Sequence, residues 1–224
     1  MASVCVVIAA YNEAPVIGAV VARALAALPE GEVLVVDDGS TDGTDRAAAA
    51  AGARTIRLPD NIGKGGAIRC GLREARAEVV VLIDGDGQDD PGEIPQLLAA
   101  LQPGVDLVVG SRFLGHFEPG AITPLNHWGN RFLTGVINTL FGAQLTDTQA
   151  GFKAIRAEML RRITLSAHYF DIEVDLLLAV LSAGGRVVEI PVNRAPRQHS
   201  QSRLHSFIDG SRILLRILRR RFGV

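Results

Sequence analysis

Cysteine, aromatic residues and long apolar runs are scarce in this chain of 224 residues, which has two cysteines, one tryptophan and two tyrosines. Two cysteines supply neither a disulfide framework nor a cysteine-based metal cluster. Apolar runs such as residues 79–83 and 176–181 are far shorter than the ~20 residues that a membrane-spanning helix needs. The first apolar stretch is interrupted by Asn12, Glu13 and Pro15, which argues against a secretory signal. We therefore expect a cytoplasmic protein without a transmembrane segment.

The net charge is −1, but it is unevenly distributed along the chain. Residues 194–224 contain eight arginines and one acid, Asp209, so this tail carries +7 and residues 1–193 carry −8. A basic tail on an acidic body predicts contact with an anionic partner. Nucleic acid, a phosphorylated substrate and a membrane surface are the classes of partner that this charge leaves open.

The first half alternates short β-branched runs with stretches long enough for helices. Such alternation predicts βαβ units in an α/β fold, with a doubly wound, mostly parallel sheet flanked by helices. The predicted strands are residues 4–9, 32–37, 54–58, 78–83 and 106–110, and the predicted helices are 14–28, 44–51, 65–77 and 93–101. Farther along we predict helices at 125–141, 171–183 and 204–222, a strand at 186–192, and a loop at 111–123 that is long enough to be a mobile lid.

Polar, glycine-rich turns follow the first four predicted strands. Ligands of doubly wound sheets bind at the carboxyl ends of the strands, so these turns are candidates for a shared site. Any one of them can be ordinary turn chemistry, but four at the same edge indicate binding. The turns are AYNE at 10–13, DDGSTDGT at 37–44, NIGKGG at 61–66 and DGDGQ at 84–88.

The sharpest signal is the run Asp84-Gly85-Asp86, which ends a buried apolar strand. Two carboxylates this close together favour a cation between them, and hard oxygen ligands select Mg²⁺ or Mn²⁺. Gln88 can add a neutral carbonyl ligand, and a diphosphate can fill the remaining positions. The alternative is an aspartate-rich turn with solvated carboxylates. Asp89 and Asp90 are expected to cap the helix that follows.

Two further turns have a binding and a structural interpretation. Asp37 and Asp38 can accept hydrogen bonds from a nucleotide base or ribose, and a turn with a helix cap explains them equally well. Residues 63–66, Gly-Lys-Gly-Gly, open a helix, where backbone N–H groups and Lys64 can hold a phosphate. Their spacing fits neither a Walker loop nor the dinucleotide fingerprint, which argues against kinases and dehydrogenases.

Arginines cluster before and within the last predicted helix. Arg194, Arg197 and Arg203 lie in a loop, where guanidinium groups suit phosphate recognition. The helix places its large apolar residues on one broad side and most of its arginines on the other. It is therefore either a helix docked on the sheet with a solvated basic face, or a helix that lies on an anionic bilayer.

In this order, the motifs resemble those of family-2 glycosyltransferases of GT-A fold. The matching segments are AAYNE at 9–13, VDDGSTDGT at 36–44, NIGKGGA at 61–67 and DGDGQ at 84–88. Later segments resemble the dolichyl- and polyprenyl-phosphate sugar transferase branch, to which dolichol-phosphate mannosyltransferases belong. They are GSRF at 110–113, GNR at 129–131, DTQAGFK at 147–153, FDIE at 170–173 and EIPV at 189–192, so the match covers nearly the whole chain.

The resemblance implies an inverting transfer of a hexose from a nucleotide diphosphate-sugar to a polyprenyl or dolichyl phosphate, with Mg²⁺ or Mn²⁺. Donors of the GDP-mannose and UDP-glucose types both remain open. The predicted donor- and phosphate-binding residues are Ala10, Tyr11, Glu13, Asp37, Asp38, Lys64, Gly65, Asp84, Gly85, Arg194, Arg197 and Arg203. The predicted metal ligands are Asp84, Asp86 and Gln88, and the predicted catalytic residues are Asp86, Arg112, Arg131 and Asp147.

The implied acceptor simplifies the chemistry. A lipid phosphate monoester has a second pKa of about 6, so it is anionic near pH 7 and can attack the anomeric carbon without a general base. The enzyme then has to align two anions and neutralise the departing diphosphate with metal and arginines. A hydroxyl acceptor would need a base instead, for which Asp147 is the candidate.

The resemblance also implies a division of one domain, residues 1–224. We expect residues 1–113 to bind the nucleotide-sugar, 114–203 to bind the acceptor, and 204–224 to form the basic amphipathic helix. Some members of the branch carry membrane helices after the catalytic domain, so we expect either peripheral attachment through the basic helix or recruitment by a membrane protein. The basic loop, residues 197–203, lacks the glycine that usually precedes its serine, which leaves the acceptor open.

Two other hypotheses remain open beside transfer to a polyprenyl phosphate. One is a family-2 transferase that acts on a soluble or glycan hydroxyl acceptor, and the other is a non-catalytic nucleotide-sugar-binding scaffold. Nucleic-acid binding is disfavoured because the basic tail lacks interleaved aromatic residues and the body is acidic. We therefore expect no nucleic-acid partner.

Overall fold

The apolar runs of the sequence form the centre of a single sheet. The computed structural model describes residues 2–197, 199 and 206–223, apart from the side chains of residues 206 and 207, and in this part of the chain seven strands pair. The strands are β1 (Val4–Ala10), β2 (Glu32–Asp37), β3 (Arg54–Arg57), β4 (Val79–Asp84), β5 (Leu107–Ser111), β6 (Lys153–Arg156) and β7 (Val187–Pro191). Their order in the sheet is β3-β2-β1-β4-β6-β5-β7.

The sheet is mostly parallel, as predicted, with one exception. β6 runs antiparallel to both of its neighbours, β4 and β5, whereas the other pairs are parallel. The sequence did not predict this strand, which is four residues long and begins with the fully buried Lys153. A charged residue at a core position hides the apolar pattern by which the other strands are recognised.

Helices cover both faces of the sheet. Side chains alternate along a strand, so Val6 and Ile8 of β1 join one apolar cluster, and Cys5 and Val7 join the other. The helices are α1 (Ala14–Ala27), α2 (Thr44–Ala50), α3 (Lys64–Glu74), α4 (Ile94–Ala100), α5 (Pro124–Phe141), α6 (Ala157–Arg162), α7 (Ile172–Ser182) and α8 (Ser206–Phe222). The first cluster includes residues of α1 and α4, and the second includes residues of α3 and α7. The doubly wound arrangement is therefore confirmed.

The strand register brings the predicted turns to one edge. Ala10 of β1 is paired with Asp37 of β2, and Ala9 is paired with Asp84 of β4. The carboxyl ends of three neighbouring strands therefore lie side by side, with a carboxylate on each outer strand. The expected meeting of turns at one edge is confirmed for these strands.

The packing of α8 differs from the interpretation in which its large apolar side docks on the sheet, while contact with a bilayer stays a prediction. It contacts α5 and α7 through the buried residues Ile213 and Ile217. Arg216 lies 2.7 Å from a carboxylate oxygen of Asp171, so this arginine joins two helices and does not belong to a solvated basic face. Apolar residues instead face outward, and the exposed ones are Ile208, Leu215, Leu218 and Phe222. Among the described residues, none of the helices has the length and apolar character needed to cross a membrane.

This orientation of α8 is testable by a matched pair of substitutions. Ile217→Ala removes a fully buried side chain and should lower the free energy of unfolding by about 2–5 kcal/mol. Leu218→Ala alters the neighbouring, 38% exposed position and should cost less than about 1 kcal/mol. Urea denaturation of both variants measures the difference, and equal losses would contradict the orientation.

Candidate active site

A cleft of about 240 Å³ opens where β1 and β4 end. An added Cβ at Gly85 would lie 3.1 Å from the Cβ of Ala10 and 3.2 Å from Ile17, so glycine lets this turn pack directly on β1. We call this space the first cleft. Predicted residues that line it are Ala10, Tyr11, Glu13, Asp38, Lys64, Asp84, Gly85, Asp86 and Arg197, together with Ala9, Asn61, Gly63, Ala67, Tyr169 and Phe170.

Three cations surround the carboxylates of Asp84 and Asp86. Lys64 Nζ lies 2.6 Å from Asp84, and a nitrogen of Arg194 lies 3.9 Å from an oxygen of each aspartate. Arg197 forms a close ion pair with Asp86. Burial by itself would raise the pKa of Asp84, but the charges of Lys64, Arg194 and Arg197 outweigh it and hold that pKa well below its usual range.

Lys64 belongs to a buried chain of alternating charges. Its ammonium lies 3.0 Å from Glu173 of α7, which also accepts from Lys153 at 3.1 Å. Burial opposes the charge on Lys64, but Asp84 and Glu173 raise the pKa of its ammonium above the usual value. Lys64 is therefore held as a permanent cation beside Asp84. Glu173 is a site residue to which the sequence assigned no role, because its neighbours in α7 have the pattern of a core helix.

The carboxylates of Asp84 and Asp86 fit a divalent cation in chemistry and placement. Both supply hard oxygen atoms at the first cleft, the class of ligand that Mg²⁺ and Mn²⁺ prefer. In the described part of the chain, no three His, Cys, Asp or Glu side chains gather as a ready-made metal site. Ligands of other kinds, such as water, an amide oxygen or a bound diphosphate, would therefore complete the coordination of such an ion.

The residues after Asp86 contact the loop that follows β7. Gln88 was predicted as a metal ligand, and here its carbonyl oxygen accepts from Arg194 at 3.0 Å. Asp89 does not cap a helix as expected, because it is buried and lies 2.6 Å from Arg194. Asp90 does form the predicted cap and accepts from the backbone N–H of Gly92 at 2.7 Å.

The two aspartates predicted to meet the nucleotide have different surroundings. Asp38 accepts from the backbone N–H groups of Ile62 and Gly63 at 2.8 and 3.0 Å, so it holds the turn that leads into α3. Burial raises its pKa. Asp37 is fully buried, and one oxygen accepts from the N–H of Ser40 at 2.9 Å. Its other oxygen is buried without a hydrogen-bond partner in the described structure.

A second cleft of about 470 Å³ adjoins the first. The two share Lys64, Asp84, Phe170 and Arg197 as lining residues. Its lining combines cationic side chains with apolar ones from the 111–123 loop, α5 and α8. The cations are Lys64, Arg112, Arg194 and Arg197, and the apolar residues include Phe117, Ile122, Leu125, Leu133 and Ile213. The motion expected of the 111–123 loop stays a prediction.

Asp147 fixes Arg112 at this second cleft. Its oxygens accept from Arg112 at 2.6 and 2.9 Å and from the amide of Asn130 at 3.0 Å. Burial opposes ionisation, but Arg112 and these hydrogen bonds lower the pKa of Asp147, which is fully buried. A buried carboxylate with a lowered pKa is a weak proton acceptor. Its catalytic role stays a prediction, while its contact with Arg112 is a structural fact.

Three residues that the sequence predicted for the site take no part in the contacts above, or lie outside the residues that the structure describes. Arg131 is exposed on α5, whereas the preceding residue, Asn130, is buried and reaches Asp147. The spacing of Asn130 with the other buried residues of α5 could have identified it. Gly65 packs on backbone, since an added Cβ would lie 2.6 Å from the carbonyl oxygen of Ala167. Arg203 lies outside the described residues.

The comparisons with known proteins agree with this geometry. The model of glycosyl transferase family 2 matches residues 5–164. Undecaprenyl-phosphate mannosyltransferase of Micrococcus luteus is 33% identical, over 94% of this chain and 91% of its own length. Polyprenol monophosphomannose synthase of Mycolicibacterium smegmatis is 33% identical, over 89% of this chain and 80% of its own. Glucosyl-3-phosphoglycerate synthase from Mycobacterium tuberculosis, solved with Mn²⁺, uridine diphosphate and glucosyl-3-phosphoglycerate, aligns over 100% of this chain and 81% of that chain, with a TM-score of 0.79 and 26% identity.

The sheet, its flanking helices and these structural neighbours define a glycosyltransferase of GT-A fold. The chain belongs to glycosyl transferase family 2. Its named relatives support the polyprenyl-phosphate sugar transferase branch that the motifs indicate.

The buried pair of Asp147 and Arg112 predicts a pH-dependent stability. Asp147→Asn should lower the free energy of unfolding at pH 7 by about 3–5 kcal/mol, because Arg112 loses its buried partner. The folded-state pKa of Asp147 is lowered, so the wild-type advantage is complete well above the unfolded value of about 3.9 and declines as the pH falls below it. Urea denaturation between pH 7 and pH 3 measures this difference. Asp60→Asn, at an exposed position, is the control. A difference in the free energy of unfolding between wild type and Asp147→Asn that grows toward low pH would contradict the prediction.

Proposed function

We propose that the protein transfers a hexose, with inversion, from a nucleotide diphosphate-sugar to a polyprenyl phosphate. The observation that carries this proposal is the pair of clefts that meet at Lys64, Asp84 and Arg197. The first cleft is lined by the family's donor motifs, and the second combines cations with apolar side chains. A lipid phosphate has the same combination of an anionic head and an apolar chain. The names of two relatives, both polyprenol-phosphate mannosyltransferases, support this acceptor.

The first cleft suits the donor. We assign Ala10, Tyr11, Glu13 and Asp38, which line the first cleft, to the base and ribose, whereas Asp37 is fully buried and is not among the lining residues. Asp84 and Asp86 would hold Mg²⁺ or Mn²⁺, with Gln88 as the predicted third ligand after release from Arg194. When bound, the metal ion supplies positive charge to the departing diphosphate. A relative in fold was solved with Mn²⁺ and uridine diphosphate, which supports this assignment.

The second cleft suits an acceptor that is already anionic. Arg112 and Arg194 line it and can bind the acceptor phosphate through charge-assisted hydrogen bonds, and Arg197 lies at its border with the first cleft. A phosphate monoester needs no general base near pH 7, so the chain has only to hold it in line with the sugar. The contacts of Asp147 agree with an acceptor that needs no general base, because its oxygens already accept hydrogen bonds from Arg112 and Asn130.

A soluble phosphorylated acceptor is the second candidate. One structural neighbour is a glucosyl-3-phosphoglycerate synthase, solved with its product. Such an acceptor would also need the arginines, but it has no apolar chain to cover the apolar surface of the second cleft. Ile122 and the exposed Leu125 therefore favour the lipid. Under either acceptor, we assign residues 1–113 mainly to the donor and 114–203 mainly to the acceptor.

Exposed apolar residues on α5 and α8 support peripheral contact with a membrane. Trp128 and Phe132 of α5 are 71% and 64% exposed. Leu125 is exposed on the same helix and also lines the second cleft, so the cleft is continuous with this surface. Basic residues on α8, such as Arg219 and Arg221, are also exposed. They lie close in sequence to the outward apolar residues of this helix. Apolar and basic side chains together favour an anionic bilayer over water.

A product assay tests the proposed function directly. Purified protein is incubated with Mg²⁺ or Mn²⁺, a panel of UDP- and GDP-sugars, and a short polyprenyl phosphate. The expected product is a lipid-phosphate sugar, and Asp86→Asn should lower its rate of formation by about 100-fold or more. The matched control is Asp90→Asn, because Asp90 belongs to the same acidic turn but caps a helix and should change the rate by less than about threefold.

The assay also separates the competing functions. In parallel reactions with 3-phosphoglycerate as the acceptor, transfer to it without transfer to the lipid would identify a soluble acceptor. Binding of a nucleotide-sugar with no transfer to any acceptor would favour the scaffold hypothesis. Equal activity in Asp86→Asn and wild type would contradict the assignment of the site.

Membrane contact can be read from the single tryptophan, Trp128. Vesicles that contain phosphatidylglycerol should shift its fluorescence to the blue and carry the protein upward on flotation, because the indole leaves water. Phe132→Ser should weaken flotation, whereas Ile62→Ser, at an exposed position before α3, should leave it unchanged. No shift and no flotation would contradict direct attachment and favour recruitment by a membrane protein.

A further inference from the structure

Arg197 occupies the carboxylate at which the metal ion is expected. One oxygen of Asp86 accepts from the backbone N–H of Gln88 at 3.0 Å, and the other is paired with Arg197. Asp86 itself is 6% exposed. A metal ion that binds the oxygen paired with Arg197 competes with that guanidinium for the same carboxylate.

The other two cations near the Asp-Gly-Asp run are anchored elsewhere. Lys64 is held by Glu173 at 3.0 Å, and Arg194 is held by Asp89 at 2.6 Å. Glu173 and Asp89 are both more than nine-tenths buried. Arg197 has a more exposed side chain, 23% against 9% for Arg194, and it also lies 3.5 Å from a carboxylate oxygen of Glu13. Of these cations, Arg197 is the one in direct contact with Asp86, whereas Arg194 lies 3.9 Å from it.

Arg197 also lies at the border of the two clefts. A guanidinium released from Asp86 would stay close to both clefts, where phosphate groups of donor and acceptor are expected. It would exchange one anionic partner for another, so that the charge balance of the site is kept.

We propose that Arg197 is the resident counter-ion of the metal site, that a divalent cation binds Asp86 by exchanging with it, and that the freed guanidinium then binds the donor diphosphate. This inference rests on the proposed function, because it needs a metal-binding Asp86. Without nucleotide, Arg197 lowers the affinity of the site for the metal ion, which we call its blocking role. With nucleotide, it raises the affinity for the diphosphate, which we call its assisting role. The two effects on affinity are opposite and can be measured separately.

Calorimetric titration with MnCl₂ alone measures the blocking role. Arg197→Gln should bind Mn²⁺ about tenfold more tightly than wild type, the factor that corresponds to losing one competing charge-assisted hydrogen bond. Arg23→Gln is the matched control, since it breaks an exposed arginine–aspartate pair, with Asp90, and should leave Mn²⁺ affinity unchanged. Unchanged or weaker Mn²⁺ binding in Arg197→Gln would overturn the proposal.

The salt dependence of Mn²⁺ affinity distinguishes exchange at Asp86 from the general effect of removing one positive charge. Long-range repulsion of Mn²⁺ is screened between about 0.05 M and about 0.5 M KCl, whereas competition at a largely buried carboxylate persists. The gain in affinity should therefore remain at high salt, and its disappearance would overturn the proposal.

Titration with UDP and GDP at saturating Mn²⁺ measures the assisting role. Arg197→Gln should bind the preferred nucleotide about tenfold more weakly, because one arginine–phosphate contact is lost. Nucleotide binding that is unchanged or tighter would overturn the second half of the proposal. If neither wild type nor variant bound Mn²⁺ with or without nucleotide, the metal site of the proposed function would fail as well. Transfer activity is not needed for any of these readouts.

Discussion

Two neighbouring carboxylates at the end of β4 must have their charge balanced, and the arrangement of the site depends on how this is done. Burial of an unpaired carboxylate costs far more than one protein's net stability allows. Lys64 from the start of α3 and two arginines from the loop after β7 supply the balancing charge. Because that loop is drawn to the end of β4, residues from both parts of the chain border the same two clefts.

The same principle recurs in the rest of the molecule. Arg112 is held by Asp147, and Arg216 ties α8 to Asp171 at the start of α7. Several motif residues therefore have a structural partner in addition to any ligand. Asp38 shows this directly, because it lines the first cleft while both of its oxygens accept from backbone N–H groups. A site of this kind is held together by internal ion pairs, and the proposed function requires some of them to be exchanged when ligands bind.

Much of the fold was predictable because its signals are local. Apolar strand patterns and glycine-rich turns located the parallel strands, and the shared edge of a doubly wound sheet located Asp84 and Asp86. The remainder depends on tertiary partners that no local pattern specifies. β6 was missed because the buried Lys153 is compensated by Glu173, which lies in a different helix. The outward face of α8 was predicted wrongly because an arginine such as Arg216 is normally solvated. Its ion pair with Asp171, next to α7, depends on tertiary packing that the sequence does not show.

Recognition of the acceptor by its phosphate and its apolar chain together is central to the proposed function. A competition experiment tests this most directly, with one donor and three acceptors: a polyprenyl phosphate, the polyprenol of the same length, and 3-phosphoglycerate. We expect a kcat/KM for the lipid phosphate at least about 100-fold above that for either alternative, because each of them lacks one of the two recognised parts. Comparable values for the lipid phosphate and 3-phosphoglycerate, or for the lipid phosphate and polyprenol, would contradict it.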